Sequence, residues 1–241
     1  MNATHPRAWP RLVICDGTVE AIKWLALILM IGDHINKYLL NDTVTWLYDA
    51  GRVAMPLFVF VLAYNLARPG TVERGAYKRT AMRLAIFGAL ATPVFIALGG
   101  LVNGWWPLNI MLTLFVLTVV LRLLATATLP GYLAAAVVFF LGGSTVEFWW
   151  PAICLGVAIW SYTKQPSLPA LLLSLVACAA LAFINGNHWA LASLPIMLAA
   201  PLIDLRIKRI RWFFYGFYPA HLALIFMVRI PMRQAGYLFF T

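Results

Sequence analysis

Long uninterrupted apolar runs recur along nearly the whole chain, as in residues 134–141 and 170–184. A helix needs about 17–25 mostly apolar residues to cross a bilayer, whereas the strands of a membrane β-barrel alternate apolar and polar residues. The runs therefore predict an all-α fold, a polytopic integral membrane helical bundle with about nine transmembrane helices. The predicted spans cover approximately residues 20–40, 52–68, 80–99, 108–124, 129–143, 146–162, 168–184, 188–204 and 212–230.

The composition leaves no room for a separate soluble domain. Hydrophobic residues make up 63% of the 241 residues, charged residues make up 11%, and the mean hydropathy is +0.86. A water-soluble domain cannot bury that much apolar surface, and the loops between the predicted spans are too short to fold independently. We therefore expect residues 1–241 to form one integral membrane domain within the lipid bilayer.

The basic residues predict the orientation of the bundle. The net charge of +10 would suggest a nucleic-acid partner in a soluble protein, but most cations here lie between the apolar runs, so we expect no nucleic acid. With a cytoplasmic N terminus, 13 of the 18 Lys and Arg residues, including Arg7 and Arg211, fall in cytoplasmic segments, and four fall in outer segments. Because positive residues mark the cytoplasmic side, the chain should begin inside and end outside.

Two ionisable residues share one face of the first predicted helix. Lys23 and His34 are eleven residues apart, which is close to three helical turns and a rise of about 16 Å. This spacing puts a cation near the cytoplasmic side of the membrane and an imidazole beyond the midplane. The arrangement suits a protein that binds the anionic group of a cytoplasmic ligand at the cation and carries out a reaction at the other end of that ligand, beside the imidazole. The alternative is that Lys23 extends to the lipid headgroups and His34 meets the outer interface.

Asp33 adjoins His34 but points about 100° away from it around the helix. It should therefore meet another span, and Arg52 opens the second span at a similar depth. We expect an Asp33–Arg52 ion pair, which is either part of the site or purely structural.

A dense basic segment, "RPGTVERGAYKRTAMR", follows the second span and holds five cations against the single Glu73. These charges help to set the topology, and they also suit the phosphates of a cytoplasmic ligand. The last loop, "DLRIKRIR", is similarly basic and could face the same ligand. The candidate ligand-binding residues on the cytoplasmic side are Lys23, Asn65, Arg68, Lys78, Arg79 and Arg83.

A second histidine, His221, falls near the centre of the last span. Pro219 can bend this helix, and Tyr218 lies three residues before His221 on the same face. A buried histidine either serves a functional site or bonds a neighbouring helix. Asn109 and Glu147 open other spans on the outer side, and the sequence assigns them no chemical role.

The three cysteines carry no recognisable motif. Cys15, Cys154 and Cys178 are odd in number and widely spaced, so they suggest neither a disulfide framework nor a metal site. We expect them to be packing residues and expect no bound metal.

Three segments carry a family resemblance. The stretches "IKWLALILMIGDHIN", "AGRVAMPLFVFVLAYNLAR" and "FYPAHLAL" resemble the TraX family, the membrane-embedded pilin acetylases of conjugative transfer systems. The similarity is concentrated in residues 22–68 and 213–225. The Lys23–ten residues–His34 spacing is also similar to the Arg/Lys–ten–His motif of the wider transmembrane acyltransferase superfamily.

The resemblance implies acetyl transfer across the bacterial inner membrane. The donor would be cytosolic acetyl-CoA, and the acceptor would be the N-terminal amine of a pilin subunit or a similar extracytoplasmic group. His34 would be a general base or a nucleophile, Asp33 and Arg52 would support the site electrostatically, and His221 would orient the acceptor or relay a proton. The basic cytoplasmic segments and Lys23 would hold the coenzyme.

Three other functions fit parts of the sequence. The same site could O-acetylate an extracytoplasmic polysaccharide. Buried histidine and aspartate also serve proton-coupled transporters, although the chain lacks the internal symmetry that many of these show. A structural protein of an assembly machine would not require Lys23 and His34 on one face.

Overall fold

The computed structural model of the chain describes residues 9–210 and 212–237, which form helices joined by short turns. Arg7 and Arg211, which entered the predicted charge asymmetry, lie outside the described residues. A π-helical turn, Val138–Gly142, extends α6, and 3₁₀ turns flank α10 at Trp189–Ala192 and Ala200–Leu202. The helices are α1 (Asp16–Leu39), α2 (Thr45–Gly51), α3 (Ala54–Ala67), α4 (Ala76–Ala97), α5 (Ile110–Leu124), α6 (Leu129–Val137), α7 (Trp149–Lys164), α8 (Leu168–Ala180), α9 (Ala182–Asn185), α10 (Ser193–Ala199) and α11 (Phe213–Gln234).

Each predicted span coincides with one of these helices or with consecutive helical segments. Within residues 9–210 and 212–237, four stretches are long and apolar enough to cross a membrane: Thr45–Ala67, Ala76–Ala97, Leu168–Asn185 and Phe213–Gln234. These stretches confirm the predicted class, an all-helical membrane protein, while the count of nine spans and their orientation stay predictions. The predicted span 188–204 is a short helix between two 3₁₀ turns rather than one long helix.

Helix α3 forms the centre of the bundle. Eleven of its 14 residues are buried, and it packs against α1, α5 and α7. Helices α4 and α11 pack on each other nearer the periphery, where Ile86, Leu90 and Leu224 expose apolar side chains. A helix that is apolar on all sides needs a buried or lipid environment, so this layering fits a bundle surrounded by lipid.

The bundle has a basic end and a tryptophan end. At the basic end the start of α1 meets the end of α3, where Arg68 Nη2 lies 2.5 Å from Asp16 Oδ1. At the tryptophan end the rings of Trp106 and Trp149 have centroids 5.5 Å apart. The predicted orientation would put the basic end on the cytoplasmic side.

An extended segment, residues 203–210, crosses the start of α1 at the basic end; we call it the strap. The N–H of Leu205 donates to Thr18 Oγ1 at 3.1 Å. The crossing requires glycine at position 17, because a Cβ there would lie 1.8 Å from the Leu205 carbonyl oxygen. The strap therefore carries its basic residues, including Arg209, alongside α1.

Asn109 fixes the first turn of α5. Its side-chain oxygen accepts the N–H of Met111 at 3.1 Å, which caps the helix. Its amide nitrogen donates to the Gly88 carbonyl at 3.0 Å and to Thr92 Oγ1 at 3.1 Å on α4. The start of α5 is thereby anchored to α4, and this start faces the cavities described next.

Candidate active site

Two cavities lie one after the other along α1. The His34 cavity, of about 300 Å³, lies toward the tryptophan end, and its lining includes Asp33, His34, Tyr38, Arg52 and Glu147. The Lys23 cavity, of about 190 Å³, lies toward the basic end, and its lining includes Lys23, Asn65, Arg83 and Arg209. Four residues line both cavities and so form a shared wall: Met30, Phe58, Ile110 and Tyr218.

His34 on α1 and His221 on α11 form a hydrogen-bonded pair. Nδ1 of His34 lies 2.7 Å from Nε2 of His221, and the two rings are nearly coplanar, with an interplanar angle of 4°. On its other side, Nδ1 of His221 lies 3.0 Å from the carbonyl oxygen of Phe217. His221 is buried, whereas His34 is half-buried on the cavity wall.

These contacts determine the tautomers of the neutral pair. The Phe217 carbonyl can only accept a hydrogen bond, so Nδ1 of His221 carries the proton. Nε2 of a neutral His221 is then unprotonated and accepts the N–H of His34 Nδ1. Nε2 of His34 is consequently left with a free lone pair, which makes His34 the member of the pair able to accept a proton or attack a carbonyl.

The predicted ion pair between Asp33 and Arg52 is confirmed. Arg52 Nη2 donates to Asp33 Oδ1, and Arg52 Nε donates to the Tyr48 carbonyl at 3.2 Å. Gly51 allows this approach, because a Cβ at that position would lie 2.4 Å from the Cβ of Asp33. The side chains are only 13% and 14% exposed, so the pair is largely buried in the wall of the His34 cavity.

Lys23 forms an ion pair with Glu20 and packs on an aromatic ring. Its Nζ lies 2.5 Å from Oε2 of Glu20 and 4.4 Å from the ring centroid of Phe214. Glu20 is 2% exposed, and its Oε1 accepts the N–H of Ile210 in the strap at 3.3 Å. Glu20 therefore ties the Lys23 ammonium to the strap that carries Arg209.

The remaining cytoplasmic-side candidates divide into two groups. Asn65 and Arg83 line the Lys23 cavity, where the Arg83 guanidinium lies 4.1 Å from the ring centroid of Trp212. Arg68 instead pairs with Asp16, and Lys78 and Arg79 are exposed, so none of these three is among the residues lining the cavity. The structure thus joins half of the six predicted ligand-binding residues in one cavity and leaves the other half on the surrounding basic surface.

The structure adds residues to both cavities that were not among the predicted site residues. Arg209 joins Lys23 and Arg83, and the basic strap motif was a signal that pointed in this direction. Glu147 joins His34 and the Asp33–Arg52 pair, and its only signal was an acidic residue at the outer start of an apolar run. Tyr38 and Tyr218 are buried and line the His34 cavity. Helical spacing points to both, because Tyr38 follows His34 by four residues and Tyr218 precedes His221 by three.

The described residues show no group of three or more His, Cys, Asp or Glu side chains arranged to hold a metal ion.

Long apolar helices around a buried cluster of ionisable side chains define a helical integral membrane protein. The family described as "TraX protein" matches residues 18–229, and the chain belongs to the TraX family. Protein TraX of Escherichia coli strain K12 is 41% identical over 68 residues, which cover 28% of this chain and 27% of that protein. A second Protein TraX from Escherichia coli is 40% identical over 68 residues, with the same two coverages. The matched segment therefore spans about a quarter of the length of these curated relatives. No solved structure matches the chain significantly.

Proposed function

We propose that this chain is an acetyltransferase that moves an acetyl group from cytosolic acetyl-CoA to an acceptor on the periplasmic side of the inner membrane. The observation that carries the proposal is the pair of cavities that share the wall of Met30, Phe58, Ile110 and Tyr218. One cavity is lined by cations and the other by a histidine with a free lone pair, and α1 runs along both. In this proposal a donor enters from the basic end, and its thioester passes the shared wall to reach His34.

The Lys23 cavity suits the pantetheine arm of the coenzyme. Its volume of about 190 Å³ is below the roughly 300 Å³ of a small ligand pocket, so the whole coenzyme does not fit inside. The apolar lining would hold the arm, and Lys23, Arg83 and Arg209 would meet phosphates at the basic end. The exposed Lys78 and Arg79, with Arg68, would attract the nucleotide from solution.

In the His34 cavity, the acceptor nitrogen would attack the thioester carbonyl carbon. A carbon–nitrogen bond forms, the carbon–sulfur bond breaks, and Nε2 of His34 takes the proton lost by the nitrogen and returns it to the departing thiolate. His221 holds His34 in the required tautomer, as the hydrogen bond to Phe217 directs. The alternative role of His34, as a nucleophile that carries the acetyl group itself, uses the same nitrogen.

The proposed orientation puts the basic end in the cytoplasm, with nine spans, an inner N terminus and an outer C terminus. The clustering of Arg68, Arg83 and Arg209 at the start of α1 supports this orientation, since positive residues mark the cytoplasmic face. The His34 cavity would then open toward the periplasm.

The proposed acceptor is the N-terminal amine of a pilin subunit, in keeping with membership of the TraX family. A polysaccharide hydroxyl is the alternative acceptor for the same site. A proton-coupled transporter would not need a cationic cavity that faces the cytoplasm, so the charge of the Lys23 cavity favours the transferase.

Calorimetric titration of the purified protein in detergent with acetyl-CoA tests the first half of the proposal, and transfer to a synthetic pilin N-terminal peptide tests the second. We expect binding that free CoA competes away, and we expect His34→Ala to bind acetyl-CoA but to lose transfer. His188→Ala is the matched control, because His188 is exposed in a turn and lines neither cavity. The absence of binding at millimolar acetyl-CoA, or full transfer by His34→Ala, would overturn the proposal.

A further inference from the structure

Glu147 is a further carboxylate in the wall of the His34 cavity. It lies in the turn between the π-helical turn and α7, and its backbone N–H donates to the Leu108 carbonyl at 2.9 Å. Its backbone oxygen accepts the hydroxyl of Thr113 at 2.8 Å. Both backbone groups are therefore held, and the side chain lines the His34 cavity, where it interacts with the first backbone N–H of α5, that of Ile110.

Glu147 differs from the other acids near it in its partners. Asp33 is committed to Arg52, whereas Glu147 has no Lys or Arg nitrogen within 4 Å among residues 9–210 and 212–237. Lys37 and Arg52 act on Glu147 only from a greater distance, and Asp33 opposes them. A carboxylate that lines a cavity and lacks a paired cation is stabilised when a ligand supplies a cationic group.

The two cavities carry opposite charge. The charged residues that line the Lys23 cavity are Lys23, Arg83 and Arg209, so its lining sums to +3. The charged residues that line the His34 cavity are Asp33, Asp42, Glu147, Lys37 and Arg52, so its lining sums to −1. One cavity therefore favours an anion such as a phosphate, and the other favours a cation such as an ammonium group.

We propose that Glu147 binds the ammonium group of the acceptor and removes its first proton, so that the site selects an amine over a hydroxyl. This inference rests on the proposed acetyl transfer and adds the residue that would recognise and deprotonate the acceptor. A primary amine has a pKa of about 8 at a peptide N terminus and is mostly protonated at neutral pH, so it needs a base before it can attack. A hydroxyl is neutral and would gain nothing from a carboxylate placed to hold a cation.

The proton balance assigns different work to the two bases. The acceptor R–NH₃⁺ gives one proton to Glu147 and becomes R–NH₂, which attacks the acetyl carbonyl. The new carbon–nitrogen bond forms as the carbon–sulfur bond breaks, and the second nitrogen proton passes through His34 to the CoA thiolate. Glu147 releases its proton to the aqueous side, so the net products are R–NH–acetyl, CoA–SH and one proton.

The test compares two probes on the purified full-length protein in detergent. One probe is a five-residue peptide with a free N-terminal glycine, and the other has glycolic acid in place of that glycine, so that a hydroxyl replaces the amine. Acetylation of each is followed by mass spectrometry at saturating acetyl-CoA. We expect Glu147→Gln to slow acetylation of the amine probe by about 10²-fold at pH 7 and to leave slow transfer to the hydroxyl probe unchanged.

Two further readouts separate a chemical role from a structural one. The amine rate of Glu147→Gln should recover as the pH rises past about 8, because the free amine then forms without a base. Glu147→Asp, which keeps a carboxylate, should retain part of the amine rate. Glu73→Gln is the matched control, since it makes the same change at an exposed glutamate that lines neither cavity.

The outcomes distinguish failure of this inference from failure of the proposed function. If the wild-type protein does not bind acetyl-CoA, the acetyltransferase proposal fails and the role of Glu147 fails with it. If acetyl-CoA binds but the wild-type protein prefers the hydroxyl probe, the amine assignment is overturned and the acetyltransferase proposal stands. If acetyl-CoA binds and neither probe is modified, the proposed transfer fails as well. If Glu147→Gln slows both probes equally, slows neither, or loses acetyl-CoA binding while Glu147→Asp behaves in the same way, Glu147 does not select the acceptor.

Discussion

Nδ1 of His34 and Nε2 of His221 lie 2.7 Å apart, although 187 residues separate them in the chain. The Phe217 carbonyl holds the second nitrogen of His221 and so determines which atom of His34 keeps its lone pair. A histidine on one helix thus has its chemical state set by the backbone of another helix. The consequences of this relationship, and of the contacts around the two cavities, can be measured.

Replacing His221 should impair transfer less than replacing His34. In His221→Ala, the imidazole of His34 loses the acceptor for its Nδ1 proton and can adopt the other tautomer, so we expect the rate to fall by about 10²-fold or more. Calorimetry should show unchanged affinity for acetyl-CoA, because His221 does not line the Lys23 cavity. A rate equal to that of His188→Ala would contradict the role assigned to the pair.

Removing a cation from the Lys23 cavity should weaken binding of the donor. Arg83→Gln and Arg209→Gln should each raise the Kd for acetyl-CoA by about tenfold or more, because a hydrogen bond to a charged group is worth about 1.5–3 kcal/mol. Lys164→Gln is the control, since Lys164 packs on the Trp160 ring and lies outside the cavity lining. Equal Kd values for all three variants would place the coenzyme elsewhere.

Adding one methyl group at position 51 should disturb the wall of the His34 cavity. The Cβ of Gly51→Ala would lie 2.4 Å from the Cβ of Asp33, so α1 and α2 must move apart, and we expect a loss of about 1–3 kcal/mol of stability. Gly216→Ala is the matched change, because its Cβ would meet only Phe87 at an ordinary 3.9 Å. Thermal unfolding in detergent should show a lowered midpoint for Gly51→Ala alone, and equal midpoints would contradict the close approach.

The thiol of Cys15 should react slowly for an exposed cysteine. Asp204 in the strap accepts a hydrogen bond from this thiol, and together with the negative charge of the carboxylate this raises the pKa of Cys15. Less thiolate is then present at pH 7–8, and the thiolate is the reactive form. Maleimide labelling should therefore accelerate in Asp204→Asn, most clearly below the raised pKa, and unchanged rate–pH profiles would argue against the contact.

Cys15 also reports on orientation without any engineered cysteine. It is exposed just before α1, so the expectation that it is a packing residue is wrong, whereas Cys178 is buried and Cys154 is half-buried. A membrane-impermeant maleimide should therefore label inverted inner-membrane vesicles, whose cytoplasmic face is outward, and should leave intact spheroplasts unlabelled. The reverse pattern would invert the proposed topology and put the basic end outside.

Much of the site on α1 was predictable, because helical periodicity is a local property. The eleven-residue spacing of Lys23 and His34 determines that they lie on one face, and the two residues do line successive cavities. The Asp33–Arg52 pair could also be predicted from the sequence, since a buried acid needs a partner and Arg52 lies at a similar depth on the next span.

The partners of the basic residues were less predictable, because charge composition does not encode pairing. Arg68 looked like a ligand-binding residue, yet it pairs with Asp16 where α3 ends against the start of α1. Lys23 meets Glu20 one turn earlier on its own helix, and Glu20 in turn reaches the strap. A cation near many acids and backbone carbonyls takes whichever partner the packing brings closest.

The sequence by itself determined the class of this protein, the approximate positions of most of its long helices and the helix face that Lys23 and His34 share, because membrane length and helical period act on neighbouring residues. Only the tertiary structure decided that His221 meets His34, that Glu147 faces the same cavity and that two cavities share one wall. Those relationships depend on how α1, α5 and α11 pack across long separations in the chain. No local pattern specifies that packing, since it is the sum of contacts distributed over the whole bundle.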